Sequence, residues 1–396
     1  MNSNEIIIQN ANNKIFYVGY KSKLISKFNK LDLTNSVQFE YNKEQFNNIF
    51  TVENQNFPAY QNNSNLKLFN FIQENTLRYN FSNKFDVTAN LNWQQSLFKS
   101  NFFSENIFLL NPAFYFNIKR TGFGNFSLSF AENSLLPEIN QLTSNFQLTD
   151  YRSFFQGNAD QKPVKNQTTS FNYNYYNDAN RFSINTGLSY VNSKLILNTV
   201  SNLANELNFN AFIQTRGGES YNFNFGIVKY SRKIKLASKI GTNISWITAP
   251  VNVNSTKFLN STNSINTVKY SGTTYFKAKM NFDFGFSYNY FQSNFQDLKT
   301  NNTTKDAFLN INCKVSKTIL AESNNAFYHV NNTTYSFNNF VINYSPIESK
   351  LSYRIILNNL RNENQYTYIS LNNYSYYQSI IQLVPRYVLG TIKYRF

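Results

Sequence analysis

Apolar and polar residues alternate along this chain with a period of two, and the alternation returns again and again. Residues 85 to 93 place Phe85, Val87, Ala89, Leu91 and Trp93 on one face and Asp86, Thr88, Asn90 and Asn92 on the other. Residues 282 to 290 set Phe282, Phe284, Phe286, Tyr288 and Tyr290 against Asp283, Gly285, Ser287 and Asn289. A strand points successive side chains to opposite faces, so each run predicts a strand with one apolar and one polar side. Runs near 13–21, 33–42, 66–81, 84–97, 108–120, 124–133, 167–177, 181–194, 220–231, 235–247, 264–279, 281–294, 305–316, 319–331, 335–346, 349–360 and 385–396 predict about 17 strands.

The spacers alternate in length. Short turns fall at Ser82-Asn83-Lys84, Thr121-Gly122, Asn177 to Asn180, Ser231 to Lys233 and Ile347-Glu348, while long polar segments fall near 43–65, 134–166, 195–219, 248–263 and 361–384. Strands joined by short turns at one end and long loops at the other are the pattern of a transmembrane antiparallel barrel. A soluble sandwich or propeller would show the same alternation, but it would need more turn glycine and proline and no aromatic outer face on so many strands. The expected fold class is therefore all-β, a barrel in a single domain spanning residues 1–396.

Composition agrees with that reading. The 396 residues include 40 Phe and 28 Tyr, but only 12 Gly and 7 Pro. Mean hydropathy is nonetheless −0.46, so the apolar residues are interleaved. An A+T-rich genome would also enrich Asn, Lys, Ile, Phe and Tyr; it is their placement that carries information. The net charge of +16 is spread over singly scattered basic residues, which does not predict a nucleic-acid partner. No run approaches the ~20 apolar residues of a membrane helix. The first 25 residues lack the basic start and apolar middle of a secretory signal, which leads to the expectation that the chain is N-terminally incomplete.

The last twelve residues, Pro385 to Phe396, put Val388, Ile392, Tyr394 and Phe396 on one face. A terminal aromatic behind alternating apolar residues resembles the signal read by the barrel-assembly machinery, with Ile392, Tyr394 and Phe396 as its residues. Residues 123–142 read FGNFSLSFAENSLLPEINQL, and GNADQKPVKN follows at 157–166, directly before the strand FNYNYY. This region resembles the barrel of TonB-dependent receptors of the Bacteroidetes type, in which an outer loop carries Gly-Asn-Pro-x-Leu-Lys-Pro-Glu. Gly157, Asn158, Lys162 and Pro163 match that motif; Ala159, Gln161 and Val164 depart from it. The resemblance implies location in the outer membrane among lipid and lipopolysaccharide, a barrel of about 22 strands, and an N-terminal plug domain through which the TonB complex acts. No stretch of this chain reads as that plug, and an odd strand count points the same way. The chain is thus expected to be the C-terminal part of such a barrel. A complete porin-like channel or a surface adhesin is the alternative.

Catalytic and metal chemistry find little material. His329 is the only histidine and Cys313 the only cysteine, so neither a disulfide nor a His/Cys metal cluster can be assembled within the chain. No enzyme activity and no cofactor are expected. Gly217-Gly218 and Gly122-Phe123-Gly124 precede no helix and are turn glycines. The long segment 134–166 is the best candidate for ligand contact, through Phe146, Tyr151, Phe154 and Phe155. The alternative for these aromatics is packing of the segment on itself or on the rim.

Overall fold

The computed structural model describes residues 7–52, 55–101, 104–120, 122–150, 152–204, 207–254, 257–330, 333–371 and 376–395. The strands of the first half are β1 (Ile7–Phe28), β2 (Leu31–Val52), β3 (Gln55–Asn56), β4 (Asn62–Ser82), β5 (Phe85–Ser100), β6 (Ser104–Arg120), β7 (Gly124–Leu135), β8 (Gln147–Asp150), β9 (Ser153–Gln156), β10 (Val164–Asn177), β11 (Phe182–Ala204) and β12 (Leu207–Arg216). Those of the second half are β13 (Glu219–Ser231), β14 (Leu236–Val253), β15 (Leu259–Thr274), β16 (Met280–Phe295), β17 (Leu298–Lys314), β18 (Ile319–Val330), β19 (Thr333–Tyr344), β20 (Leu351–Asn358), β21 (Gln365–Leu371), β22 (Tyr376–Gln382) and β23 (Tyr387–Tyr394). Two short 3-10 turns, Pro58–Tyr60 and Ile139–Leu142, are the only other regular elements among the described residues.

Seventeen strands form one antiparallel wall in chain order: β1, β2, β4 to β7, β10, β11, β13 to β20 and β23. Each corresponds to one of the runs read from the sequence. β3, β8, β9 and β12 attach to this sheet at one end, and β21 pairs with β22 in a separate hairpin. Among the described residues no pairing joins β1 to β23, and no plug-like domain is present.

Register keeps the two faces chemically distinct, because a slip by one residue would exchange them. One row of directly opposed residues runs Val87, Phe116, Leu128, Phe171, Leu188, Phe223 and Ile244 across seven strands. The neighbouring row on the other face runs Thr88, Tyr115, Ser129, Ser170, Ser189, Asn222 and Ser245. In it Ser129 and Ser170 are hydrogen-bonded at 2.6 Å, and the Ser245 hydroxyl donates to Asn222 at 2.6 Å. The apolar side chains are exposed: Phe16, Val18, Tyr20, Phe39, Phe69, Leu97, Phe108, Phe114, Leu128, Leu188, Ile240 and Phe286 all present surface. A soluble monomer rarely shows an apolar patch of more than a few hundred Å². Polar residues on this face pair with each other, as Asn35 does with Asn75 at 2.6 Å and Asn338 with Asn325 at 2.7 Å.

The short turns and the long connections lie at opposite ends of the wall, with Asn29 (φ 37°) and Gly122 (φ 83°) in two of the short turns. At the other end the strands run well past the lengths the alternation predicts. β1 and β2 have 22 residues each, where about ten cross a bilayer. Four of the five segments expected as loops are in large part strand. β2 continues to Val52 and β4 begins at Asn62; β11 continues to Ala204 and turns into β12; β14 continues to Val253 and β15 begins at Leu259; β21 and β22 occupy the fifth connection. Only 134–166 is mainly irregular. Opposed pairs such as Asn12 with Asn47 explain the difference. An established ladder propagates through polar residues, because backbone pairing needs no apolar face where both sides are wet.

Candidate ligand-contact site at the capped mouth

Residues 136–163, between β7 and β10, fold over the polar face at the long-connection end. Ile139 and Leu142, from the 3-10 turn, are buried against Leu66, Phe98, Ile107 and Leu109. Those four wall residues occupy polar-face positions, an apolar landing built into an otherwise hydrophilic surface. Each buried aliphatic side chain contributes about 1.5–3 kcal/mol. Glu138 and Gln141 cap the turn reciprocally, the Glu138 N–H donating to Gln141 Oε1 at 3.1 Å.

Three clasps tie this cap to the wall. Gln9 on β1 holds both peptide groups of Leu148. Asn62 at the start of β4 accepts from the Asn145 N–H at 3.0 Å and donates to the Asn145 carbonyl at 3.1 Å. β9 pairs in parallel with β12, Ser153 opposite Asn208. β1 and β11 are about 34 Å apart along a flat sheet, yet the five chain steps from Leu148 to Ser153 span at most about 18 Å. The wall and its β11–β12 extension therefore bend toward the polar face, which makes that face the inner one. The cap lies across the chord.

An aromatic cluster sits where the cap meets both sides of the mouth. Phe154 is 1% exposed and stacks on Phe209, with ring centroids 5.1 Å apart and planes at 11°. Phe50 and Tyr60 reach it from the β2–β4 side, and Phe146 joins Tyr60 and Phe209. Phe155 meets Phe212 edge-on at 4.4 Å. Gly157 permits the cap's closest backbone crossing: a Cβ there would lie 2.5 Å from the Gln141 carbonyl oxygen and 2.6 Å from the Thr143 nitrogen. At the cap's exposed corner Asp150 accepts from the Arg152 N–H at 2.9 Å, and this backbone bond, helped by the Ser153 hydroxyl, lowers the Asp150 carboxyl below its ordinary value.

Of the residues expected to meet a ligand, Phe146 and Phe155 are half-buried at the cap, Phe154 is spent on packing, and Tyr151 lies outside the described residues. Gln9, Phe50, Tyr60, Phe209 and Phe212 belong to the same assembly and escaped sequence reading, since they fall in stretches without clear alternation. A second aromatic group forms where the β21–β22 hairpin meets β18 and β19: Tyr366 contacts Tyr328, Tyr335 and Phe337. Burial, reinforced by Asp306, raises the Tyr366 phenol above its ordinary value.

At the other end of the chain, Ile392 and Tyr394 on β23 are exposed on the apolar face, opposite Tyr353 and Leu351. Phe396 lies outside the described residues. The His329 Nδ1 pairs with the Thr334 hydroxyl at 2.8 Å beside the β18–β19 turn. Among the described residues no group of three or more His, Cys, Asp or Glu side chains is placed to hold a metal.

No protein-family model matches the chain, and no curated protein does. Among solved structures it is similar to the siderophore receptor PiuA from Acinetobacter baumannii, with TM-score 0.34 and 11% identity over 98% of this chain and 79% of that one. The ferripyoverdine receptor of Pseudomonas aeruginosa gives TM-score 0.36 and 8% identity over 98% and 71%. OmpT of Vibrio cholerae, as a loop L8 deletion mutant, gives TM-score 0.28 and 9% identity over 83% and 97%.

Proposed function

We propose that this chain is the wall and outer mouth of an outer-membrane transport barrel, with its apolar face in lipid and its polar face lining an aqueous interior. The observation that carries this reading is the separation of faces across the seventeen-strand wall: exposed Phe, Leu, Ile and Tyr on one side, hydrogen-bonded Ser, Asn and Thr on the other. Exposing the first in water is costly; exposing the second in lipid is costlier. In this reading the cap narrows the mouth, and Phe146 and Phe155 meet the solute there while Phe154 anchors them. The wall acts by passage and recognition and carries out no bond-making step. In its finer form the barrel serves a TonB-dependent receptor, the class that residues 157–166 resemble. A bilayer leaves no backbone group unpaired, so the free edges of β1 and β23 must be sealed there, by each other or by further strands.

Fractionation of cells producing the chain, followed by electrophoresis of heated and unheated samples, tests this. Recovery with outer membranes and a heat-dependent shift in mobility are the expected results. Recovery as a soluble protein contradicts the reading. Receptor and open channel then separate on Phe146→Ala/Phe155→Ala: a receptor loses solute uptake without leaving the membrane, whereas a diffusion channel keeps it.

A further inference from the structure

The outward face of the first wall strands carries charge of one sign only. On β1, β2, β4, β5 and β6 the acids are Asp32, Glu40, Glu44, Glu74, Asp86 and Glu105, and the register puts all six on the inner face. The outward cations are Lys14, Lys43, Lys67, Lys99 and, at the short-turn end, Arg120. The four lysines share one position in the pattern. Each is the first outward residue beyond the apolar band of its strand, after Phe16, Tyr41, Phe69 and Leu97 respectively.

Three of them are also direct neighbours: Lys43 is opposed to Lys67, and Lys67 to Lys99. Like charges directly opposite in a sheet repel, and among the described residues none of the three has a carboxylate partner. Further round the same rim the chain does supply one, since Lys194 pairs with Glu132 at 3.4 Å. The lysines line a concavity of about 340 Å³ together with Gln45, Asn65 and Asn101, which adds amide donors to the three ammonium groups.

We propose that Lys43, Lys67 and Lys99, flanked by Lys14, seat the phosphate group of an outer-leaflet lipid whose acyl chains lie along the apolar band beneath. The occupant follows from charge and place: an anion is needed to relieve the row, and the row stands where an apolar surface gives way to a polar one. Phosphate offers several acceptor oxygens to convergent donors. The inference rests on the membrane reading of the apolar face.

The test uses the purified chain in dodecyl maltoside, with the unfolding midpoint followed as diphosphoryl lipid A is added. The expected result is a rising midpoint in the wild type and an apparent affinity about a hundredfold weaker in Lys43→Gln/Lys67→Gln/Lys99→Gln, on the order of fivefold for each lysine near an anionic surface. The corresponding triple arginine variant keeps the response. Without lipid A the glutamine variant is at least as stable as the wild type, because the repulsion is gone, and added lipid A reverses the order. An undiminished response in the glutamine variant overturns the proposal. So does an equal effect of dephosphorylated lipid A, which would show acyl contact alone, or of inorganic phosphate at the same concentration, which would show a free-anion site. Heat-modifiable insertion of both proteins into phosphatidylcholine vesicles establishes the membrane wall independently of the lysines, and failure of both to insert sinks the wall and the seat together.

Discussion

Gln9 and Leu148, 139 positions apart in the chain, are joined as a strand pair would be: Gln9 Nε2 donates to the Leu148 carbonyl at 2.7 Å and Gln9 Oε1 accepts from the Leu148 N–H at 2.8 Å. A side-chain amide on the edge strand β1 thereby holds the cap at one end of its span. Gln9→Ala removes both bonds, about 1–3 kcal/mol of local stability. The expected outcome is amide exchange across residues 147–156 accelerated about tenfold or more, with the wall strands unchanged.

Phe154 is the cap's anchor, buried between Phe50, Tyr60 and Phe209. Phe154→Ala should cost about 3–5 kcal/mol, expressed as undocking of the cap because the wall is a separate, larger cooperative unit. Limited proteolysis checks this: cleavage within 144–163 rises sharply while the heat-dependent mobility shift of the wall persists.

The two faces of one strand make opposite demands on a charge. Phe286 points outward from the middle of β16, and Ser287 points inward, its hydroxyl donating to Asp306 at 2.8 Å. Phe286→Arg is expected to destabilise folding in vesicles by about 2–4 kcal/mol. Ser287→Arg, next to the Asp306 carboxylate, is expected to cost far less. Urea titrations of the two variants in the same lipid give the comparison.

The corner at Asp150 gives the cap a pH dependence. Its carboxyl is lowered when folded, so its contribution to cap stability is present above the ordinary carboxylate value of 3.8 and is lost as pH falls through the folded value. Amide protection within 147–156, referred to the unstructured exchange rate at each pH, should therefore be flat from neutral pH down to about pH 5 and fall only in more acid solution. Asp150→Asn should remove that acid-dependent step.

All seventeen wall strands were legible because the two faces had to satisfy two different surroundings, and that requirement is written at every second residue, as in Phe282 to Tyr290. The extensions were illegible for the same reason. Where β2 passes Lys43 it no longer divides one surrounding from another, and Glu44, Asn47 and Asn48 read as loop although the ladder to β1 continues unbroken to Val52. The capped mouth was half legible. Phe146, Phe154 and Phe155 stood out as aromatics in a long polar segment, but their partners Phe50 and Phe209 are brought to them by the bend of the wall, which no local pattern encodes. The close crossing at Gly157 was visible only as a motif letter; its physical cause is the Gln141 carbonyl beneath it.

The separation of faces is tested most directly by single cysteines at each position from 282 to 289 on β16, in a Cys313→Ser background, each carrying a fluorophore in vesicles of brominated phosphatidylcholine. Quenching that alternates, strong at Phe282, Phe284, Phe286 and Tyr288 and weak at Asp283, Gly285, Ser287 and Asn289, is the predicted result. Quenching that is absent throughout, or that fails to follow the period of two, would contradict a wall with one face in lipid.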